Sequence, residues 1–299
     1  MPSDIIQWFP GHMAKTRRLI KENLSSVDIV LEILDARIPE SSKNPELSSL
    51  IHDKPVISVL NKAGLADPVI TKKWIAFYQS IGRACVACDC ISGYGMKNIG
   101  TQVKELLADK LKRYADKGMQ GRTIKAMILG IPNVGKSSLI NRISQNKKAK
   151  VENRPGVTLT KQWVKTNIGI DLLDMPGVLW PKFEDQRIGE NLAITGAIKD
   201  DILDIERIAT ALCDRLRSLY PEQLAERYRL SDDLFITNAE PHELLIAIAK
   251  KRGCLLQKGE VDIERASNLL IDEFRAAKIG KILFLAPCTR SRPLSRCPP

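Results

Sequence analysis

Apolar residues fall in short continuous runs over the first part of the chain and at three- and four-residue intervals over the last. Residues 27–34 are nearly all apolar, residues 55–60 run into Asn61-Lys62, and residues 84–90 run into Ser92-Gly93. Runs of this kind suit strands of a parallel sheet covered on both faces. Residues 123–129 predict another strand, residues 136–144 a helix, and residues 162–167 with 170–173 a β-hairpin around Gly169. A basic helical pattern runs from Ala14 to Leu24. Ile99, Val103, Leu106, Leu107, Leu111 and Tyr114 recur at helical spacing and predict one helix from Met96 to a stop at Gly118. After about Pro181 only helical stripes remain. Ile205, Ile208, Leu212, Leu216 and Leu219 make one, closed by Pro221; a second opens at Pro241 and stops at Gly253; Ile263, Ala266, Leu269, Leu270 and Phe274 make a third. The pattern predicts an α/β domain over residues 1–185 with a basic N-terminal arm, and a helical domain over residues 186–286. A tail rich in Pro, Ser and Arg over residues 287–299 is expected to be disordered.

Composition adds one feature to this picture. Of 299 residues, 46 are Lys or Arg and 35 are Asp or Glu, a net charge of +11. The excess favours a polyanionic partner without choosing between nucleic acid and acidic lipid. No apolar run approaches the roughly 20 residues that cross a bilayer. The opening MPSDIIQWFPGHM lacks a basic start, a continuous apolar stretch and a small-residue cleavage site, so secretion is not expected. Seven irregularly spaced cysteines fit a reduced cytoplasm better than a disulfide framework.

Residues 130–138 read GIPNVGKSS, a G-x-x-x-x-G-K-[ST] loop that follows a predicted strand and opens a predicted helix, the setting a phosphate cradle requires. Its glycines let the backbone of Asn133, Val134, Gly135, Lys136, Ser137 and Ser138 wrap phosphate, with the helix N-terminus aimed at the anion. Lys136 is expected to neutralise β- and γ-phosphate charge, and the Ser137 hydroxyl to take a Mg²⁺ position. Downstream, Asp174-Met-Pro-Gly177 ends a predicted strand; its carboxylate can hold Mg²⁺ through water, and the Gly177 amide can meet the γ-phosphate. Pro155-Gly156-Val157-Thr158 lies between the two, and Thr158 is the expected switch threonine for Mg²⁺. Asn61-Lys62-Ala63-Gly64 looks like the guanine-reading N-K-x-D element. Asp89-Cys90-Ile91 with Gly93 stands in the place of the S-A-x loop that supports the base. The base loops thus precede the phosphate loop, a circular permutation of the usual GTPase order.

The sequence resembles the circularly permuted ribosome-biogenesis GTPases, of the bacterial ribosome biogenesis GTPase A type. The matching stretches are Trp8-Phe-Pro-Gly-His-Met13, Asp35-Ala-Arg-Ile-Pro39, Asn61-Lys62, residues 130–138, Arg154-Pro-Gly-Val-Thr158, Asp174-Met-Pro-Gly177 and Thr195-Gly-Ala-Ile-Lys199. The resemblance implies a P-loop GTPase sheet in circularly permuted α/β order followed by a small all-α domain. It implies hydrolysis of GTP to GDP and phosphate with Mg²⁺, coupled to late assembly of the large ribosomal subunit through rRNA contact. The competing reading is an RNA-docking assembly factor whose nucleotide is structural and hardly turned over.

Two departures from the GTPase pattern stand out. Gly64 replaces the guanine-reading aspartate, which predicts weakened guanine preference and a gain of GTP affinity in Gly64→Asp; Asp67, three residues on, is expected to lie too far to substitute. Val178 follows the D-x-P-G element where many GTPases carry a water-orienting glutamine, so another group must position the nucleophile. The resemblance puts His12 forward for that role, against the plain alternative of a surface or helix-capping histidine in a glycine-containing loop. GTPases of the G-x-x-N-x-G-K-S form are often activated by potassium, so the resemblance extends to K⁺ beside Asn133; a loop-bracing hydrogen bond is the alternative. Cys85, Cys88 and Cys90 are spaced for metal, but strand alternation sends Cys85 to one face and the other two to the opposite one, and buried small side chains are the expectation. Residues 97–125 hold eight basic and three acidic side chains. Solvated helix faces are the ordinary reading of such a run, and rRNA contact is the minority one.

Overall fold

The structure is a computed structural model that describes residues 11–51, 53–119, 121–144, 162–180, 183, 185–231, 240–257 and 259–285. Its first element, α1 (Gly11–Leu24), places His12 in a helix rather than in the expected loop. Strand β1 (Ile29–Asp35) is buried at all seven positions. β2 (Val56–Asn61), β3 (Ala84–Ala87), β4 (Ile124–Gly130), β5 (Gln162–Lys165) and β6 (Ile170–Asp174) complete one six-stranded sheet in the order β3-β2-β1-β4-β6-β5. All pairings are parallel except β5 with β6, the hairpin expected around Gly169. Parallel strands deliver their C-terminal ends to one edge of the sheet, where an open α/β fold binds ligands. Asp35, Asn61, Gly130 and Asp174 all end strands on that edge. The strand that leads into the phosphate loop, β4, lies fourth in the chain yet beside β1 in the sheet.

Helices α2 (Pro45–Leu50), α3 (Pro68–Ser80), α4 (Met96–Leu106), α5 (Ala108–Asp116) and α6 (Lys136–Ile143) connect the strands. One face of the sheet packs Trp74 and Tyr78 of α3 with Leu34, Leu60 and Leu283. The other packs Ile99, Val103, Leu139 and Ile140 against the strand interiors, and this core runs on without a break into the helices that follow. There α7 (Gln186–Ile194), α8 (Ile205–Leu219), α9 (Pro221–Tyr228), α10 (Pro241–Arg252) and α11 (Ile263–Arg275) succeed one another. The α8 stripe buries Ile208, Leu212 and Leu216, but Leu219 at its end is exposed. No described helix is long and apolar enough to cross a membrane.

Two sequence expectations are corrected. The single helix over residues 96–118 is two, divided at Leu107, whose φ of −102° and ψ of 11° leave the helical region while its side chain turns into the core. No residue of α5 is fully buried; Leu111 packs half-buried against the core, and Lys110 pairs with Asp28 at 2.6 Å. Strand β3 stops at Ala87, yet the expected division of the cysteines holds: Cys85 packs in the core on the α3 face of the sheet, and Cys88 and Cys90 lie on the opposite one. Cys85 and Cys88 are buried as expected, whereas Cys90 is only half-buried; the Cys88 and Cys90 thiols both donate to Asn61 Oδ1, at 3.6 and 3.2 Å. Thr158 and the tail over residues 287–299 lie outside the described residues.

Candidate nucleotide site

The phosphate loop follows from its local sequence. β4 ends in Gly130, α6 begins at Lys136, and Asn133 (φ 55°) and Gly135 (φ 96°) bend the chain between them. Gly135 has the Asn61 amide pressed against the side where a Cβ would stand, so only glycine fits. Val134 is buried under the loop, and Ser137 and Ser138 open α6 half-buried. The Lys136 ammonium is buried and donates to Gly130 O at 3.0 Å and Ile131 O at 2.8 Å. Burial pushes its pKa down to about 8, and the nearby Asp174 carboxylate limits the fall. This lysine rests on the carbonyls of its own loop, within reach of whatever anion the loop amides hold.

Asp174 ends β6 beside that lysine. Burial pushes its carboxyl up to about 6, against the pull of Lys136 and a bond from the Met175 amide. Its Oδ1 is buried and has no hydrogen-bond partner among the described residues. A buried acceptor left unpaired is costly, and a serine hydroxyl together with a carboxylate that keeps one oxygen unpaired suits a hydrated divalent cation. Ser137 and Asp174 therefore fit Mg²⁺. Gly177 packs directly on the phosphate loop: a Cβ there would lie 2.9 Å from Lys136 Nζ and 2.9 Å from both N and Cα of Pro132. The Val178 amide then bonds to Gly130 O at 3.3 Å, and the Val178 side chain is buried. A buried valine cannot orient water. His12 lies near the start of α1.

The base loops are tied to the phosphate loop by Asn61, which donates to Val134 O at 2.8 Å and accepts from the Cys90 thiol at 3.2 Å. Lys62 sits at φ 61° and reaches Asp35 Oδ2 at 3.0 Å. Burial lowers the Lys62 pKa, with Asp35 opposing the fall. Asp35 is itself buried; the cost of burial is outweighed by Arg37 and then Lys62, which hold its carboxyl far below the usual carboxylate range. Arg37 makes a two-pronged pair with it at 2.9 and 2.7 Å. Gly64 is exposed in the 3-10 turn Ala63–Leu65, and its amide donates to Asp89 Oδ2 at 3.2 Å. Asp67 caps α3 through the amides of Val69 and Ile70, so its carboxylate is committed there.

The sequence held no signal for how these loops meet the helical region. Asn133 Nδ2 donates to Gly196 O at 2.8 Å, across 63 residues. Arg37 Nη2 reaches Thr195 O at 3.4 Å, across 158. The same turn is held from its other side by Arg275 of α11, which donates to Ile194 O and Ala193 O and pairs with Asp200. Residues 282–285 add a second seam, with Ile282 N on Leu65 O, Phe284 N on Arg37 O and Trp74 Nε1 on Leu285 O. The phosphate loop, the Arg37 loop after β1 and α11 thus converge on one turn around Thr195-Gly196.

Comparison with known proteins agrees with this geometry. The family described as 50S ribosome-binding GTPase matches residues 125–231. The chain is 48% identical over 290 residues to ribosome biogenesis GTPase A of Priestia megaterium, covering 97% of this chain and 99% of that protein. It superposes on GDP-bound TM YlqF with a TM-score of 0.63 and 26% identity, over 90% of this chain and 99% of that one. For GNP-bound YlqF from T. maritima the TM-score is 0.61 and the identity 25%, over 90% and 97%.

Proposed function

This chain belongs to the ribosome biogenesis GTPase A family and is a P-loop GTP hydrolase, and from that premise we propose that it couples hydrolysis to late assembly of the large ribosomal subunit through rRNA contact. The observation that carries the coupling is the hydrogen bond from Asn133, inside the phosphate loop, to Gly196 O on the turn that Arg275 fastens to α11. A shift of the phosphate loop is felt at that turn without an intervening segment.

In the proposed cycle the loop amides and the α6 N-terminus take the phosphates, and Lys136 leaves Gly130 O and Ile131 O to pair with β- and γ-phosphate oxygens. Ser137, Asp174 and Thr158 are the proposed holders of Mg²⁺, whose bound charge neutralises the developing negative charge. Gly177 offers its amide to the γ-phosphate, and loss of that phosphate on hydrolysis releases the segment that leads into α7. Asn61 and Lys62 contact the base beside Cys90. His12 is the proposed group that positions water, and K⁺ beside Asn133 is part of the same proposal. The helical region of residues 186–286 and the net charge of +11 supply the ribosome-contacting side, in the cytoplasm.

The buried Val178 favours a second reading, an RNA-docking factor in which nucleotide is retained and hardly turned over. Binding to large-subunit precursors tests the switch that both readings dispute. It should be stronger with a non-hydrolysable GTP analogue than with GDP, and should weaken as salt rises through counterion release. Equal binding in the two nucleotide states removes the switch even where RNA binding survives.

A further inference from the structure

Gly64 stands where the guanine-reading carboxylate belongs, yet the space beside it is not empty. A Cβ built on Gly64 would lie 2.6 Å from Asp89 Oδ2 and 3.2 Å from Asp89 Cγ. In an aspartate, the carboxylate oxygens lie about 2.4 Å from the residue's own Cβ, from ordinary C–C and C–O bond lengths. Asp89 Oδ2 therefore sits at nearly the distance at which residue 64 would place its own carboxylate oxygen. The carboxylate is anchored there. Its Oδ1 accepts from Ile91 N at 3.0 Å, Ser92 N at 2.8 Å and Ser92 Oγ at 3.0 Å, while Oδ2 accepts from Gly64 N alone among the described residues. One oxygen fixes the group; the other keeps acceptor capacity beside an exposed glycine. Pairing of Cys88 N with Leu60 O and of Ala63 N with Cys88 O keeps this loop in register with the Asn61-Lys62 element.

We propose that Asp89 is the residue that reads the guanine edge in this chain, its carboxylate occupying the place of the missing one at position 64. The proposal rests on the guanine-nucleotide reading of the site and names the group that gives it selectivity. The guanine N1–H and 2-amino group converge on Oδ2, and Gly64 is required because any Cβ would push Asp89 away. The charge needed for this role is secure. Burial pushes the carboxyl up, but the Ser92 amide and hydroxyl, then the Gly64 and Ile91 amides, outweigh it and hold the group ionised. Guanine selectivity is then retained rather than relaxed. Gly64→Asp, expected from sequence to gain affinity, instead sets two carboxylates against each other and loses it.

Titration of the full-length chain with fluorescent GDP, IDP, XDP and ADP tests this. The parental protein should prefer GDP over IDP, which lacks the 2-amino donor, by at least tenfold, and over XDP by more. In Asp89→Asn the amide can donate to the 2-oxo group of xanthine, so the GDP-to-XDP affinity ratio should swing at least tenfold toward XDP. Gly64→Ala should lower GDP affinity severalfold. The affinity ratio within one variant does not depend on how much of it is folded. Equal binding of GDP and IDP by the parental protein overturns the proposal, as does an Asp89→Asn protein that keeps the parental ratio or binds neither nucleotide. Equal binding of ADP and GDP by the parental protein would instead remove the guanine reading beneath it.

Discussion

Adding a single methyl group at Gly177 separates binding from chemistry at this site. The Cβ of Gly177→Ala would stand 2.9 Å from the backbone N and Cα of Pro132, where ordinary contact begins near 3.4 Å. Pro132 is part of the phosphate loop and Lys136 Nζ also stands 2.9 Å from that Cβ, so the D-x-P-G segment must retreat by about half an ångström. A hydrogen bond of ordinary length, ~2.9 Å, lengthened by that amount reaches the limit at which it still counts as one. Removing one preorganised donor from a developing charge costs about 10²–10³ in rate, or about 2.7–4 kcal/mol. GDP carries no γ-phosphate, so its affinity should stay within about threefold of parental, well under the ~1.4 kcal/mol of a tenfold change. Mant-GDP titration with single-turnover GTP hydrolysis separates the two quantities. Parental hydrolysis by Gly177→Ala, or equal losses in GDP affinity and turnover, refutes the assignment of this amide to the γ-phosphate.

Lys136→Ala removes the cation proposed to face the phosphates and should abolish productive triphosphate binding; GTP hydrolysis at the parental rate would show the site to be misassigned. The Asp174 carboxyl is pushed up to about 6, and it must be ionised to hold a cation, so Mg²⁺-dependent affinity should fall about tenfold between pH 7 and pH 5. Asp174→Asn should start low and show no such fall when followed by calorimetry. Because the native state holds that proton more tightly than the unfolded chain, this group also makes stability without nucleotide decrease as pH rises from about 4 through 6. Asn133→Ala loses the bond to Gly196 O, of the order of 0.5–1.5 kcal/mol. Nucleotide affinity should drop by no more than about tenfold, while the difference between GTP- and GDP-state binding to subunits shrinks; a full difference retained in sedimentation assays rejects this link.

What the sequence disclosed is what repeats locally. Continuous apolar runs marked the parallel strands because burial on both faces leaves no polar alternation, as the wholly buried β1 illustrates. The phosphate loop and Asp174-Met-Pro-Gly177 were legible because their chemistry sits in consecutive residues at strand ends. The break at Leu107 was not, since Leu106 and Leu107 both fit a helical stripe and only packing exposes one and buries the other. The Asn133–Gly196 and Arg37–Thr195 contacts join residues far apart in the chain, and a pattern read along the sequence holds no trace of such pairs. Position 64 shows the same limit more sharply. A motif read in line registers a lost carboxylate, whereas the fold brings Asp89 to the vacant place from the next strand end.

The most direct test of the account is GTP turnover measured at saturating nucleotide with and without large ribosomal subunits. A switch that engages the subunit and reorganises the site around Asn133 and Gly177 should turn over at least tenfold faster in their presence. The same slow rate with and without subunits, under conditions where the protein is bound to them, would contradict coupled hydrolysis and leave a docking factor that merely retains its nucleotide.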